Sequence, residues 1–572
     1  MKSLLKPALI VAVIALFSLL SLSIFVLPKA KPATAGASEF SAERAIKHVE
    51  AIAKSVHPIG SPEQKAAGNY IIGTLSAMGL EPEIQKGRVE NDEEGILGLV
   101  PYSGDAENIY ARLEGSGNTD QTVLMLAHYD STLGGPGAAD DASGCAVLLE
   151  TARALLSGDT PENDIVFLFA DGEEAGLLGS TLFAQDEELI EDISLVINIE
   201  AMGSRGPSVL FETSVGNSRL IQEFKKAAPD PVGYSFTSDA YKMVKNITDF
   251  TPFLDAGKCG LNFANVGGTE TYHFPQDTPE NLSRQTLQHQ GNYALSLARH
   301  FGNITLNCTK SGSDAVYFTL IKGLMVLYPA ERTFLLTVLV LLLFAGAIVL
   351  GLSRQRLTPK GMVAGFLVSL LTFVAAAAIG IAAQILFSKI YLKLENIRTI
   401  SDLVRMKRTI ILDGRVWFAV SLLLSFVLIY ILQRLFSRKI KMYDLYAGNC
   451  VTWVILAVLS AFAFPGTGYI ILWPMMLSLT GMLIELLPGK KAGSNGLVVF
   501  TLSTAACILI YVPVGYLLFQ ALMMLGAGIP IALLSLPAGL VLLSSSIFVI
   551  KDKTEGRKPY GSPSEGSYNV SR

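Results

Sequence analysis

The chain has 572 residues, with 45 Lys and Arg against 49 Asp and Glu and a formal net charge of −4. That balance lacks the basic face a nucleic-acid-binding protein needs, so no nucleic-acid partner is expected. Five scattered cysteines (Cys145, Cys259, Cys308, Cys450, Cys507) show no CxxC spacing and suggest neither a disulfide framework nor a thiolate metal site. The mean hydropathy of +0.44 averages two unlike halves. Residues 36–330 are charged and rich in Gly and Asp, whereas after Arg332 apolar runs alternate with short basic connectors.

At the amino end, Lys2 and Lys6 precede an apolar run from Pro7 to Leu27. About 20 such residues cross the ~30 Å hydrocarbon core as a helix. The small-residue stretch from Lys31 to Ala37 would suit cleavage of a signal peptide, but the run is long for one and reads as an uncleaved anchor. Under either reading the next segment leaves the cytoplasm.

From Ser41, a plausible N-cap, Ala45, Val49, Ile52, Ala53 and Val56 share one helical face. The turn His57–Pro62 ends that helix, and a second runs from about Glu63 to Met78. Strand patterns follow at Asn108–Leu113, Thr122–His128, Asp164–Phe169, Leu195–Ile199 and Ser208–Phe211. Helical stretches at Ala142–Leu156, Leu177–Asp186 and Asn217–Ala227 lie between several of them. This alternation predicts an α/β domain with a mostly parallel sheet covered by helices, its runs TVLMLA and DIVFLFA buried on both faces. Ligand sites in such sheets lie beyond the carboxyl ends of the strands.

Spanning runs then come at about Phe334–Leu352, Met362–Phe387, Val416–Phe436, Ala447–Phe464, Tyr469–Leu487, Leu497–Gln520 and Ile529–Ile550, which makes eight with the anchor. The expected organisation is a cytoplasmic start, anchor and linker over 1–35, an ectodomain over 36–330, an all-α multi-spanning membrane domain over 331–552 and a polar tail over 553–572. With a cytoplasmic amino terminus, the basic loops 353–361, 434–446 and 488–496 and the tail fall inside, as positive residues prefer. Residues 388–415 then fall outside despite Lys389, Lys393, Arg398, Arg405, Lys407, Arg408 and Arg415. That segment is expected to pack against the ectodomain or lie on the membrane surface.

The predicted strand ends carry the chemistry. They are AHYDS (Ala127–Ser131), GAADDASG (Gly137–Gly144) and DGEEAGLLGS (Asp171–Ser180), followed by NIEAMG around Glu200 and TYHFPQDT around His273. Together they offer the His and carboxylate donors that a hard or borderline divalent metal takes, and one carboxylate to spare. Small residues around Asp140 and Asp141 let backbone approach a metal closely, and a carboxylate there can bridge two ions. Of the adjacent Glu173 and Glu174, one can ligate while the other stands free beside water. Two zinc ions about 3.5–4 Å apart would lower the pKa of a bridging water. A free Glu can move that water's proton to a leaving amine. Each motif alone has a plainer reading: a strand-end histidine, a helix cap at Asp140–Asp141, a solvated turn at Glu173–Glu174.

AHYDS, GAADDASG, DGEEAGLLGS and YHFPQDTPEN closely resemble the co-catalytic zinc aminopeptidases related to aminopeptidase S and glutamate carboxypeptidase II, over roughly residues 41–300. The added membrane half resembles the Fxna-related and vacuolar membrane protease subgroup. The resemblance implies two zinc ions per chain and a peptide substrate. It implies that His128 and Glu200 bind one ion with bridging Asp140, that Glu174 and His273 bind the other, and that Glu173 is the general base. It further implies that Asp130 hydrogen-bonds His128 without touching metal, and that the Asp140–Asp141 peptide is cis. Many relatives have Asp where this chain has Glu200, whose longer arm still reaches.

Asp171 and Asp277 are left as structural or supporting carboxylates. His48, His57, His289 and His300 fall outside the set, and Tyr241, Tyr272 and Arg205 are unranked candidates for contact with substrate. The resemblance implies a membrane-integral zinc exopeptidase, an aminopeptidase; the distribution of basic residues is what places its catalytic domain on the exoplasmic side with both termini cytoplasmic. The alternatives are a carboxypeptidase on the same scaffold, a receptor or transporter-like protein whose ectodomain only binds, and glutaminyl cyclisation, which goes with a single zinc. Oligomeric state is not legible.

Overall fold

A computed structural model describes residues 2–90, 103–117, 119–244, 247–306, 312–391, 400–487, 496–522 and 528–545. The expected tail 553–572, most of the loop 488–496 and the basic residues Lys393 and Arg398 lie outside the described residues, as does the end of the last expected span.

After the apolar helix α1 (Lys2–Leu22) come α2 (Ala42–Ile52), α3 (Pro62–Ala77), β1 (Glu83–Glu90), β2 (Ser103–Leu113), β3 (Thr122–His128), α4 (Ala142–Leu156) and β4 (Asp164–Ala170). Then follow α5 (Leu178–Ala184), α6 (Glu187–Glu191), β5 (Ile193–Ala201), β6 (Ser208–Thr213), α7 (Ser218–Ala227), α8 (Ser235–Val244), α9 (Thr251–Asp255), β7 (Gly260–Asn265) and α10 (Arg284–Phe301). A hairpin of β8 (Ala315–Ile321) and β9 (Leu324–Pro329) leads into seven long helices. These are α11 (Arg332–Ser353), α12 (Pro359–Tyr391), α13 (Ile400–Phe436), α14 (Met442–Ala463), α15 (Tyr469–Leu486), α16 (Gly496–Leu522) and α17 (Gly528–Ser544).

Seven strands form one sheet in the order β1-β2-β4-β3-β5-β7-β6. The inner four, β4-β3-β5-β7, are parallel, while β1, β2 and β6 pair antiparallel at the edges. The fold is therefore the expected α/β domain with a parallel centre; β2 and β6 fall on expected strand patterns, whereas the edge β1 and the inner β7 come from segments whose pattern is weak. β1 is a polar, mostly exposed edge, and β7 (GLNFAN) buries two asparagines inside an apolar run. The centre is apolar on both faces: Val123, Met125 and Ala127 of β3 enter one core with α2, α4 and α10, while Leu124 and Leu126 enter the other with Phe183, Phe250 and Phe253. Local signals agree with the packing. Ser41 caps α2 by accepting from the Arg44 amide, and Ser61 caps α3 ahead of Pro62. Glu150, fully buried in α4, is paired to Arg44 and Arg153 and so carries no uncompensated charge.

Among the described residues, seven helices are long and apolar enough to cross a membrane, the first being Ala8–Phe25 and the last Phe500–Gln520. Pro530–Ser544 is a shorter apolar helix at the eighth expected span. These helices meet the α/β domain through the β8–β9 hairpin. Its side chains alternate: Ala315, Tyr317 and Met325 pack into the α/β core, and Val316, Phe318 and Tyr328 into the apolar cluster of the helices. Phe318 stacks on Tyr469 at 4.2 Å between ring centroids and meets the edge of Trp473 at 5.7 Å. Polar contacts flank the stack, with the Ser235 hydroxyl donating to the Gly466 carbonyl (2.6 Å) and Thr467 to Asp239 (2.9 Å).

Phe318 is the buried pivot of this junction, so Phe318→Ala should destabilise the full chain by about 3–5 kcal/mol. The check is the thermal midpoint of the detergent-solubilised protein against a surface alanine variant; an unchanged midpoint would show that the two halves are joined elsewhere.

Candidate metal centre

The carboxyl ends of the four parallel strands converge on one buried point. His128 is the last residue of β3, and Asp140 lies in the loop that leads into α4. Glu173 and Glu174 follow β4, Glu200 stands near the end of β5, and His273 follows β7. Neighbouring parallel strands all deliver their next loop to the same edge of a sheet, which is why motifs far apart in sequence meet here.

The distances divide the donors into two sets around one carboxylate. Asp140 Oδ1 lies 3.4 Å from His128 Nε2, which is itself 3.9 Å from Glu200 Oε2. Asp140 Oδ2 lies 2.9 Å from His273 Nε2, which is 3.2 Å from Glu174 Oε1. His128, Asp140 and Glu200 form one group able to hold a metal ion, and Asp140, Glu174 and His273 form another. His128 with Glu173 and Glu174 is a third such group.

Two tests on the residues themselves favour a cation. His128 Nε2, Asp140 Oδ2 and Glu174 Oε1 are buried without a well-formed hydrogen bond among the described residues, although each has a donor or acceptor of the cluster within 3.4 Å. Donors about 2.0–2.2 Å from a shared tetrahedral ion stand roughly 3.3–3.6 Å apart, and two of the four spacings, 3.4 and 3.2 Å, lie in or next to that range. The charge balance agrees. Burial pushes Glu200 up to about 8 and Glu173 well above the carboxylate range, with neighbouring carboxylates adding to it. Burial opposes a charged His273, yet Asp140 and Glu174 raise it to about 9. His128 likewise rises against its burial because of Asp130 and Asp140. Protons are drawn to a place where divalent cations would supply the same charge.

The supporting residues are specific. His128 Nδ1 lies 3.1 Å from the Asp130 carbonyl and 3.3 Å from its carboxylate, which favours a proton on Nδ1 and leaves Nε2 to face Asp140. The Asp130 carboxylate also accepts the amides of Glu173 (3.1 Å) and Glu174 (3.3 Å), a role the sequence did not indicate. One side chain therefore orients the histidine and both glutamates. The Asp140–Asp141 peptide is cis. Asp141 caps α4 by accepting from Gly144, so the capping reading holds for one member of the pair while the other faces the cluster. Asp277 accepts the amides of Ala139 (2.8 Å) and Asp140 (3.2 Å), tying the loop after β7 to Asp140. Asp171 accepts from Gln64 and the Glu107 amide at the start of the Glu173–Glu174 turn. Burial pushes both Asp171 and Asp277 up to about 7. Gly134 and Gly135 admit the carbonyls of His273 and Phe274, which a Cβ at either position would strike.

The remaining candidates fall outside the cluster or on its rim. His48 meets Tyr70, His300 meets Glu223, and His289 accepts the Ser208 amide. His57 braces the strand end instead, exchanging hydrogen bonds with Ser131 next to Asp130. Tyr272 stacks on His273 at 3.8 Å, Arg205 pairs with Glu270, and Tyr241 packs on Phe211. Asp249 was not anticipated. It is fully buried with neither carboxylate oxygen hydrogen-bonded among the described residues, and its charge helps to raise Glu173 and Glu200. Its only sequence cue is an acid set beside Phe250 and Phe253, both of which are buried.

Residues 108–298, which carry every donor above, match peptidase family M28. Among curated proteins, the chain is 27% identical over 324 residues to endoplasmic reticulum metallopeptidase 1 of Mus musculus, covering 55% of this chain and 33% of that one. It is 30% identical over 275 residues to the vacuolar membrane protease of Kluyveromyces lactis, covering 46% and 30%. The chain thus spans about a third of the length of these relatives. Among solved structures, an aminopeptidase from Aneurinibacillus sp. strain AM-1 covers 46% of this chain and 95% of its own, at 16% identity and a TM-score of 0.37.

Asp277→Ala would leave two buried amides beside Asp140 unsatisfied, at about 1–3 kcal/mol each. The expected result is weaker metal uptake together with a lower thermal midpoint. Equilibrium dialysis against zinc checks it, and wild-type uptake would show that Asp140 holds its position unaided.

Proposed function

We propose that the chain is a membrane-integral, zinc-dependent exopeptidase that acts as an aminopeptidase on peptides at the exoplasmic face. The observation that supports it best is the Asp140 carboxylate, whose two oxygens face separate His and Glu partners while Glu173 stands alongside. His128, Asp140 and Glu200 would hold one zinc ion, and Asp140, Glu174 and His273 a second. Bound there, zinc supplies Lewis acidity toward a carbonyl and lowers the pKa of water. Asp130 keeps His128 in the ligating tautomer and, through two backbone amides, aims Glu173 and Glu174 in different directions. Glu173 takes a proton from water at its carboxylate and delivers it to the departing amine. Desolvation, which favours the protonated form of Glu173, suits that exchange.

The orientation is supported by which helix ends meet. The Arg354 side chain donates to Leu487 O and Lys441 to Gln355 O, gathering three connectors at the end remote from the α/β domain. Those connectors include the basic loops 353–361 and 434–446, which favours a cytoplasmic position for that end and for both termini. The aminopeptidase choice rests on the resemblance.

Glu173→Gln in the purified full chain should keep its zinc and lose at least about 100-fold in turnover, the scale of a general base. Asp140→Asn should lose both metal and activity. Mass spectrometry of free and end-blocked peptides, with zinc analysis of each variant, reads all of this. Stepwise loss from free amino ends supports the proposal, loss from carboxyl ends replaces the specificity, and more than a few per cent of activity in Glu173→Gln removes its role as base.

A further inference from the structure

The loop that carries His273 is held from the membrane side. It leaves β7 at Asn265 and reaches His273 through Gly267 (φ 149°), Gly268 (φ 69°) and finally His273 itself at φ 62°. A non-glycine residue in the left-handed region is a conformation the chain seldom adopts unaided, so neighbouring contacts must hold it. Several of those contacts come from α13 and α16. The Tyr516 hydroxyl donates to the Val266 carbonyl (3.1 Å), and Thr269 Oγ1 donates to Gln520 Oε1 (3.1 Å). Arg415 Nη1 pairs with Glu270 Oε2 at 2.7 Å, and Nη2 reaches both Thr269 Oγ1 and Gln520 Oε1.

The same loop is tied to the strand end that bears Glu200. Arg205 pairs with the other Glu270 oxygen at 2.7 Å, and its amide donates to the Gly267 carbonyl (3.1 Å). Glu270 is therefore shared between an arginine of the α/β domain and an arginine of a membrane helix. Arg415 lies over the Phe519 ring at 5.8 Å and is only 18% exposed. A cation within α13, where its apolar part begins, forked onto an acid, a hydroxyl and an amide, is placed to fix geometry rather than to stay solvated.

We propose that Arg415 is a positioning residue for His273, so that the second metal position, the one made by Asp140, Glu174 and His273, is complete only with α13 and α16 in place. This deepens the zinc metallopeptidase reading and rests on it. The junction around Phe318, Ser235 and Asp239 holds the two halves together at a different place. Loss of the Arg415 fork should therefore loosen the loop without undocking the domain. The membrane half then acts on the site itself, beyond anchoring it.

The test uses the full chain in lipid nanodiscs, stripped with a chelator and titrated with zinc against a chromophoric competitor. Wild type should show two binding steps. Arg415→Gln should leave one step unchanged and weaken the other by about 10–100-fold, the range for groups that orient metal ligands, with an unchanged thermal midpoint. Arg415→Lys should recover part of that loss, because an ammonium reaches Glu270 but cannot also hold Thr269 and Gln520. Glu270→Gln should give the same selective pattern and serves if Arg415→Gln does not fold. Thr467→Val, which breaks a junction contact away from the loop, should bind zinc as wild type does. Unchanged titrations in both Arg415→Gln and Glu270→Gln would overturn the proposal, as would equal weakening of both steps with a lower midpoint. A wild-type chain that takes up no zinc would instead overturn the metallopeptidase reading, and this proposal with it.

Discussion

Carboxylates do not crowd together in a protein interior without a reason for doing so. Asp140, Glu173, Glu174 and Glu200 share one buried pocket with Asp249 close enough to feel them, and only two histidines stand opposite. Each acid costs desolvation energy, and each raises the pKa values of the others. Such a cluster is tolerable when a compact positive charge sits at its centre, and Asp140 faces two such places at once. Much of the nearby architecture serves that carboxylate: Asp277 grips its backbone, Asp141 caps the helix behind it, and glycines at 134 and 135 let the His273 loop close over it.

The sheet explains why so few residues suffice. Four parallel strands in the order β4-β3-β5-β7 release their next loops at one edge, and each loop contributes one piece of the centre. The strands are buried on both faces and have little freedom to shift, so the donors inherit their position from the core. Asp130 then couples two of these loops through a single side chain. A change at Asp130 would therefore disturb the histidine tautomer and the glutamate turn together, and its effects could not be assigned to either alone.

Legibility in the sequence follows the strength of local pattern. β3, α4 and the Ser41 cap are found at the expected residues because an unbroken apolar run, an unusually buried helix and a side-chain cap each leave a strong trace. β1 leaves almost none, since an exposed edge strand needs no apolar face. β7 is hidden by Asn262 and Asn265, whose side-chain NH2 groups donate only to tertiary partners. The donor cluster was legible as motifs in order, but the second task of Asp130 was not, because backbone amides carry no sequence label. Asp249 and the Arg415–Glu270 pair were invisible for a related reason: each gains its meaning from residues far away in the chain.

The basic stretch that runs into the first half of α13, expected as a connector but helical from Ile400, shows how such distant partners bear on a sequence rule. Counted by charge alone, residues 388–415 look misplaced beside the α/β domain, because cations are expected at the opposite end of the helices. Arg415, at least, is not a free cation there. Its guanidinium is neutralised by Glu270, shielded by Phe519 and hydrogen-bonded to Gln520 and Thr269. The β8–β9 hairpin makes the pairing possible by sending alternate side chains into both apolar clusters and so setting the domain squarely on the helix ends. The membrane half is therefore structurally continuous with the loop that ends at His273, and its packing and the geometry of the metal centre have to be explained together.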